Sequence, residues 1–318
     1  MVKKRTFFYP RFFSSILGTL LFCTSAFASI GNDGSILPSS VFNASGYKPK
    51  SSTNRSLITD ESFDTYTNFS YYMRFNGPAL GHTFQETYNP YTNSIWPVQM
   101  FHSVGATHYF NKYYSFGAEA SGVQDVAYGV QNSYGEITPQ MSIFDPSIKV
   151  QRASAYENSW MHLGLGFSYF IPATDFSRQQ GKIGSIAFDQ TFNYKPDNRL
   201  WNFNVSTRLQ PSFYREIPQG AQTFFFSIGH QLGYSFTDYF EIVHSSLFDV
   251  SQSDVRRTLL DFDHASLDRT QLQMNFYTPK KILRFGAYIQ ALVFDARLET
   301  TTVGIDLTLG LNFGSGAP

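Results

Sequence analysis

The 318-residue sequence holds one cysteine, Cys23, and none after it. Residues 24–318 can therefore carry no disulfide framework and no thiolate metal site. Long apolar runs are missing too. Beyond the first 28 residues no stretch approaches 18 consecutive apolar positions, which excludes a membrane-spanning helix there. Neither charge dominates, with 24 Lys and Arg against 24 Asp and Glu. A nucleic-acid-binding chain would show a basic surplus. The spacings of common catalytic motifs are also absent: there is no G-x-S-x-G, no P-loop and no H-E-x-x-H. The histidines (His82, His102, His108, His162, His230, His244 and His264) are dispersed without metal-ligand spacing. No catalytic residue, metal or cofactor is expected on these grounds.

The first 28 residues read as an export leader. Lys3, Lys4, Arg5 and Arg11 form a basic start, Phe12 to Phe22 an apolar core, and Ala26-Phe27-Ala28 a small-x-small cleavage site. Cleavage is expected after Ala28. The rival, a membrane anchor, has only the stretch from Phe12 to Ala28, short for a span and interrupted by Ser and Thr. A lipoprotein site would need a small residue before Cys23, where Phe22 stands. Removing the four basic residues of the leader from the 24 leaves 20 against 24 acids, a mild net charge of −4.

Residues 29–62 are dominated by Ser, Asn, Gly, Pro and Thr, with Ile30, Ile36, Val41 and Phe42 scattered among them. They are expected to form a polar, extended segment on the periplasmic side, either a flexible tail or a plug. Residues 63–318 form the third region.

In that region apolar residues alternate. Leu283, Phe285, Ala287, Ile289, Ala291 and Val293 take every second position. After Arg297-Leu298-Glu299-Thr300 the alternation resumes as Val303, Ile305, Leu307, Leu309, Leu311 and Phe313, with Gly304, Asp306, Thr308, Gly310 and Asn312 between. A period of two over ten or more residues predicts strands with one face for hydrocarbon and one for water. Strands in soluble sandwiches run about five or six residues, whereas strands of roughly ten suit a membrane barrel. Aromatics make up 18% of the chain, with 33 Phe and 20 Tyr, as interfacial belts demand. A soluble secreted β-protein is the alternative.

The alternation predicts strands at 65–76, 97–109, 113–123, 138–151, 159–171, 182–194, 199–213, 223–236, 240–249, 268–277, 282–295 and 302–313. The fourth is interrupted by Asp145-Pro146. Numbered from the periplasm, the turns at 110–112, 152–158, 195–198, 237–239 and 278–281 are short, and most loops at the other end are long. That asymmetry and the even count agree with an all-β, transmembrane, antiparallel up-and-down barrel of about twelve strands in the bacterial outer membrane, its N-terminus periplasmic. Ten and fourteen strands are the neighbouring counts. In the hairpin 223–249, a turn at Thr237-Asp238-Tyr239 pairs Tyr234 with Ile242 and Ile228 with Phe248, so that both apolar faces agree.

Alternation assigns Arg74, Glu119, Asp189, Arg208, Gln231, Glu241, Arg269, Arg284, Gln290 and Asp306 to the lumen. Charges of both signs predict cross-lumen ion pairs and a narrow or blocked bore rather than a sharply selective one. Arg269, Gln290 and Asp306 are expected in one row. Small solutes are the expected cargo. On the outward face Gln190, Thr207, His230, His244 and Ser246 break the apolar surface, with His102 a further candidate. Polar groups facing lipid are costly at the midplane, so they point to headgroups, to a homo-oligomer interface, or to lipid-face chemistry.

His244-Ser245-Ser246, with His230 opposite Ser246, resembles the outer-membrane phospholipases, which also place His, Ser and Asn outside a twelve-strand barrel. The resemblance covers three residues. The family's neighbouring Asn has no match, since Asn275 falls on the inward face. The strand pattern as a whole resembles porin-like outer-membrane proteins, although Phe313 is followed by Gly-Ser-Gly-Ala-Pro rather than closing the chain. In overall style, with Phe- and Tyr-rich strands, a Ser/Asn-rich leader into the barrel and an outward polar notch, the chain also resembles the major outer-membrane barrels of predatory Bdellovibrio-type bacteria, the PopA type. That resemblance implies oligomeric rings of barrels that enclose membrane lipid.

Overall fold

The computed structural model describes residues 65–313 apart from 83–85, 90–93, 112, 127–140, 159, 195–199, 219–220, 253–263, 280–281 and 293–296. The leader and the polar segment at 29–62 lie outside the described residues.

The strands are β1 (Tyr66–Ala79), β2 (Glu86–Asn89), β3 (Ser94–Pro97), β4 (Gln99–Tyr109), β5 (Tyr114–Asp125), β6 (Met141–Ile143), β7 (Ser147–Glu157), β8 (Met161–Phe170), β9 (Lys182–Tyr194), β10 (Trp201–Tyr214), β11 (Phe224–Thr237), β12 (Phe240–Gln252), β13 (His264–Tyr277), β14 (Leu283–Leu292) and β15 (Thr302–Phe313). Each long strand pairs antiparallel with its sequence neighbour, β5 with β7 and β1 with β4. Pairing of β1 with β15, from Thr67↔Phe313 to Ala79↔Thr302, closes the circle. Twelve strands form the barrel: β1, β4, β5 and β7–β15. Closure leaves no unpaired edge in hydrocarbon, where an unmet backbone group costs several kcal/mol.

Alternation sorts the faces. On β15 Thr302 and Asp306 are buried, whereas Ile305 and Leu311 are exposed. On β13 Gln271, Gln273 and Asn275 are buried while Leu272, Met274 and Phe276 are exposed. A water-soluble protein hides its apolar face; this barrel presents it. At the short-turn end the outer face carries a run of rings from Trp201 through Tyr234, Phe236 and Phe240 to Phe276, with centroids 4.7, 4.7, 5.4 and 5.0 Å apart. Trp160 meets Tyr194 at 5.6 Å, and Phe69 meets Phe313 at 5.6 Å. This is the aromatic girdle of a membrane interface.

Several expected boundaries change. The fourth strand is two pieces: β6 pairs with Gly122–Gln124 of β5, β7 pairs with Tyr114–Glu119, and Asp145-Pro146 lies between. Proline cannot donate to the ladder, and the aspartate is drawn away to the loop. β7 also runs on through Glu157, past the turn expected at 152–158, because a register shift between Arg152 and Tyr156 absorbs the extra residues. The turn at 237–239 shortens to Asp238-Tyr239, with a shift at Ser235/Thr237. Two long loops hold structure of their own: the β2–β3 hairpin, and a five-residue helix α1 (Asp175–Gln179) capped by Thr174.

Candidate functional site

The inner wall is built by strands whose inward side chains recur every second residue. It divides into two stretches on opposite sides of the bore.

The first stretch spans β13, β14, β15 and β1. Arg74 is directly opposite Asp306 in register, yet its guanidinium goes elsewhere. Nη2 donates to Gln271 Oε1 and Gln290 Oε1, both at 2.7 Å, and Nε to Asn76 Oδ1 at 3.0 Å and Tyr288 Oη at 3.1 Å. Its carbon Cζ also lies 4.1 Å from the Tyr288 ring centre, within cation–π range. Gln271 donates to Gln273 (2.6 Å), and Gln273 to Asn275 (2.7 Å) and Asp306 (2.8 Å). Asp306 pairs with Arg284 at 3.3 Å, and Arg284 donates to Thr308 at 3.0 Å.

Two glycines permit this mesh. Tyr288 crosses Gly304 so that its hydroxyl reaches the Phe75 carbonyl at 3.0 Å. A Cβ on Gly304 would stand 2.3 Å from that carbonyl oxygen and 2.4 Å from the hydroxyl. The Gln273–Asp306 bond passes over Gly286 in the same manner. Polar side chains thus lie along the wall. On the neighbouring strands Glu241 accepts from Asn202 and Tyr277, both at 2.7 Å, and Gln231 sits opposite Ser245 on the inner face.

The second stretch spans β5 and β7–β10. Arg208 is directly paired with Asp189 and donates to both carboxylate oxygens, at 2.7 and 3.2 Å. Glu119 accepts from Ser103 at 2.5 Å. Lys149 pairs in register with Gly117 and Ser168, among the charges of Asp189, Arg208 and Glu119. Beside it is a cavity of ≈ 20 Å³, lined in part by Glu119, Ser147, Lys149, Phe170 and Arg208. Among the described residues no hydrogen bond or ion pair to the Lys149 ammonium is formed. Asn204 Oδ1, Ser206 Oγ and Gln210 Oε1, which flank Arg208 on β10, are buried without hydrogen-bond partners.

Among the described residues the two inner ion pairs join neighbouring strands, β9 with β10 and β14 with β15, and run along the wall rather than across the lumen as expected. The expected row of Arg269, Gln290 and Asp306 is also corrected. Gln290 faces Gln271 on one side and Thr302 on the other, while Arg269 is opposite Leu247 and Leu292. The side chain of Arg269 lies outside the described residues. Sequence reasoning missed Lys149 because the weak fourth strand hid its alternation. Gln271, Gln273 and Tyr288 were not among the expected lumen residues, although they share the alternation of Asn275 and Gln290, and Asn275 was placed on the inward face without a lumen role.

At the long-loop rim Asp145 gathers α1. One oxygen accepts from Ala173 N, Thr174 N and Thr174 Oγ1 at 3.0–3.2 Å; the other accepts from Ser177 at 2.6 Å and Lys182 at 3.1 Å. Burial alone would raise its pKa, but these donors and the Lys182 charge outweigh it and hold the carboxyl below its ordinary range.

On the outer face Thr207 is opposite Gln190 on one side and Ile228 on the other; His230 is opposite Ser246, and Ser246 opposite Thr270. The rings of His230 and His244 are 5.5 Å apart. His244 Nε2 is within 2.8 Å of Thr270 Oγ1, so its nearest hydroxyl partner is not Ser246. Asn275 is buried inside. His102 shares a 2.8 Å hydrogen bond with Tyr71 on the outer face of β1 and β4.

No family model matches this chain, and no curated protein does. Solved structures of similar architecture include an outer membrane channel from Pseudomonas putida F1, with 8% identity and a TM-score of 0.47 over 81% of this chain and 100% of that one. The NanC porin shares 8% identity, with a TM-score of 0.43 over 77% and 98%. The KdgM porin in complex with oligogalacturonate shares 10%, with a TM-score of 0.40 over 77% and 98%. The barrel assignment stands on this chain's own closure and on its two faces. The chain is a closed antiparallel barrel of twelve strands with an apolar outer face.

Proposed function

We propose that this barrel is a non-enzymatic, porin-like or structural outer-membrane protein that self-associates, with a narrow lumen of mixed charge that admits small solutes with weak charge preference. In this reading the leader is removed after Ala28, and the chain enters the barrel from the periplasmic side, where the turns are short. The lumen reading is supported by an inner wall of Arg, Asp, Glu, Lys and amide side chains whose described ion pairs are internally balanced, which removes the single-signed ring a selective filter would use.

One observation carries self-association: the polar interruption of the outer face lies at mid-height. His230 is seven residues from the end of β11 at Thr237. At about 3.3 Å per residue and a tilt of about 40°, that is about 18 Å from the turns, inside an apolar band roughly 25 Å tall. Gln190, Thr207, His230, His244, Ser246 and Thr270 there would meet bare acyl chains unless another subunit or held lipid covers them. A ring that encloses lipid is one such assembly.

The test is the mass of the detergent-extracted native complex, protein and bound lipid measured separately by light scattering and native mass spectrometry. A multimer whose lipid survives washing is expected. It should dissociate when His230 and Ser246 are replaced by Leu and Val. A lipid-poor monomer would overturn self-association and leave a monomeric diffusion channel. Lipid hydrolysis that disappears in Ser246→Ala would instead make the outer patch a phospholipase site.

A further inference from the structure

We propose that the lumen is narrowed in its long-loop half by an apolar constriction centred on Phe101, which holds hydrated ions of either sign back and passes small uncharged solutes. The proposal rests on the porin-like reading and names its solute class and the residue that sets it.

The inner face changes character along its height. Toward the short turns the inward side chains are polar and meet one another: Asn204 donates to Asn193, Asn202 to Glu241 and Asn68 to Asn312, each at 2.7 Å. Toward the long loops rings take over. Phe101, the third residue of β4, is opposite Arg74 in register, which sets it on the inner face. Phe170 ends β8 and lines the cavity shared with Lys149 and Arg208. Phe225, the second residue of β11, is opposite Gln210 and buried. Phe144 stands at the break between β6 and β7, with its N–H on the Ser121 carbonyl at 2.9 Å.

Phe101 is the anchor of this change. It is 1% exposed, the largest fully buried side chain among the described residues. Its ring centre lies 6.0 Å from that of Tyr72 and 6.3 Å from that of Phe144, the second ring within 21° of parallel. Rings from β1, β4 and the β6–β7 break therefore join into one apolar surface. A barrel of twelve strands encloses more space than the eight-strand barrels that side chains simply fill, and a water-filled bore is lined by polar groups. A buried aromatic stack on the inner side removes water from that part of the bore.

The polar groups nearest the stack are turned away from it. Arg74, the register partner of Phe101, sends Nη2 to Gln271 and Gln290 on β13 and β14. Glu119 accepts from Ser103 at 2.5 Å. An ion that passes the rings must shed water and finds no oxygen or nitrogen in their place, which is how an apolar constriction excludes charge. Loss of hydration costs an ion far more than it costs a neutral hydroxyl compound. Cations and anions are penalised alike, in agreement with a lumen of weak charge preference.

The test compares Phe101→Val with Phe101→Thr, which open nearly the same space and differ by a methyl for a hydroxyl. Potassium chloride conductance is read in planar bilayers, and swelling of liposomes carrying the barrel is read in erythritol and in sodium chloride. Heat-shifted gel mobility reports that each variant is folded. The wild type is expected to pass erythritol at least fivefold faster than sodium chloride. Phe101→Thr should conduct at least threefold more than Phe101→Val and bring the two swelling rates within twofold of each other. Phe144→Thr, at the edge of the stack beside a strand break, should move both readouts the same way by a smaller factor, and it carries the test if the Phe101 variants do not fold. Equal conductance of Phe101→Val and Phe101→Thr would make the constriction one of size alone and overturn the proposal, as would equal swelling of the wild type in both solutes. A conducting wild type that no ring substitution alters would overturn the constriction and leave the porin-like reading standing. A silent wild type opened by Phe101→Thr would do the reverse, and silence in every variant would overturn both.

Discussion

Two sides of one lumen use the same kinds of residue and reach opposite ends. Across β13–β15 and β1, Arg74, Asp306, Arg284 and the Gln271–Gln273–Asn275 row form a continuous mesh, two of whose crossings, over Gly304 and Gly286, lean on glycine space, and Arg284 Nε is its one buried atom without a partner among the described residues. Across β7–β10, Arg208 and Asp189 saturate each other while Lys149 and the β10 oxygens are left over. A densely bonded polar network gives stiffness and a fixed shape, since removing any member strands its partners. An unsaturated one keeps capacity for something that arrives from outside. Composition alone cannot separate the two, because both walls hold Arg, Asp and amides.

The sharpest way to break this comparison is to fill the space under the mesh. Gly304→Val should lower stability by about 3 kcal/mol, the combined effect of overpacking and displaced hydrogen bonds, read as a fall in the temperature at which the extracted barrel unfolds on a gel. Next in size, Arg74→Met should destabilise by about 2 kcal/mol, because Gln271, Gln290 and Asn76 lose their donor. Lys149→Met, which breaks no hydrogen bond, should remain within about 1 kcal/mol of wild type. Equal losses for the two cations would erase the distinction between the walls.

The smallest effect is expected at the rim. The folded pKa of Asp145 is depressed, so the tie to α1 is fully present above the ordinary carboxylate pKa and is lost progressively below it, as pH falls through the lowered value. Protection from hydrogen exchange at residues 173–178 should be constant from neutral pH down to the ordinary carboxylate pKa and fall progressively below it, until the lowered value is passed. Asp145→Asn should already lower that protection at neutral pH, and protection that stays constant into strong acid would contradict the tie.

The fold was largely legible because alternation reads faces directly. Val303 to Phe313 and Phe224 to Phe236 each name their own outer side, and the pairing of Tyr234 with Ile242 and His230 with Ser246 follows from one tight turn. Rows across strands were harder. Gln290 pairs with Gln271 rather than Arg269, two residues away, and with Thr302 rather than Asp306, four residues away. Slips of even length leave every side chain on its correct face, so nothing in the hydrophobic pattern reports them. They depend on where β15 begins after the turn at Leu298–Thr300. The departure of Arg74 from its register partner to Gln271 and Gln290 depends on that slip and on Gly304, and neither leaves a mark in periodicity.

Ion selectivity of single barrels in a planar bilayer, under a salt gradient, tests the difference between the walls most directly. A small conductance with a reversal potential near zero is expected for the wild type. Lys149→Glu should move it clearly toward cations, and Arg74→Gln should move it little, because that guanidinium is held along the wall. No conductance at all, or a larger shift from Arg74→Gln than from Lys149→Glu, would contradict the account.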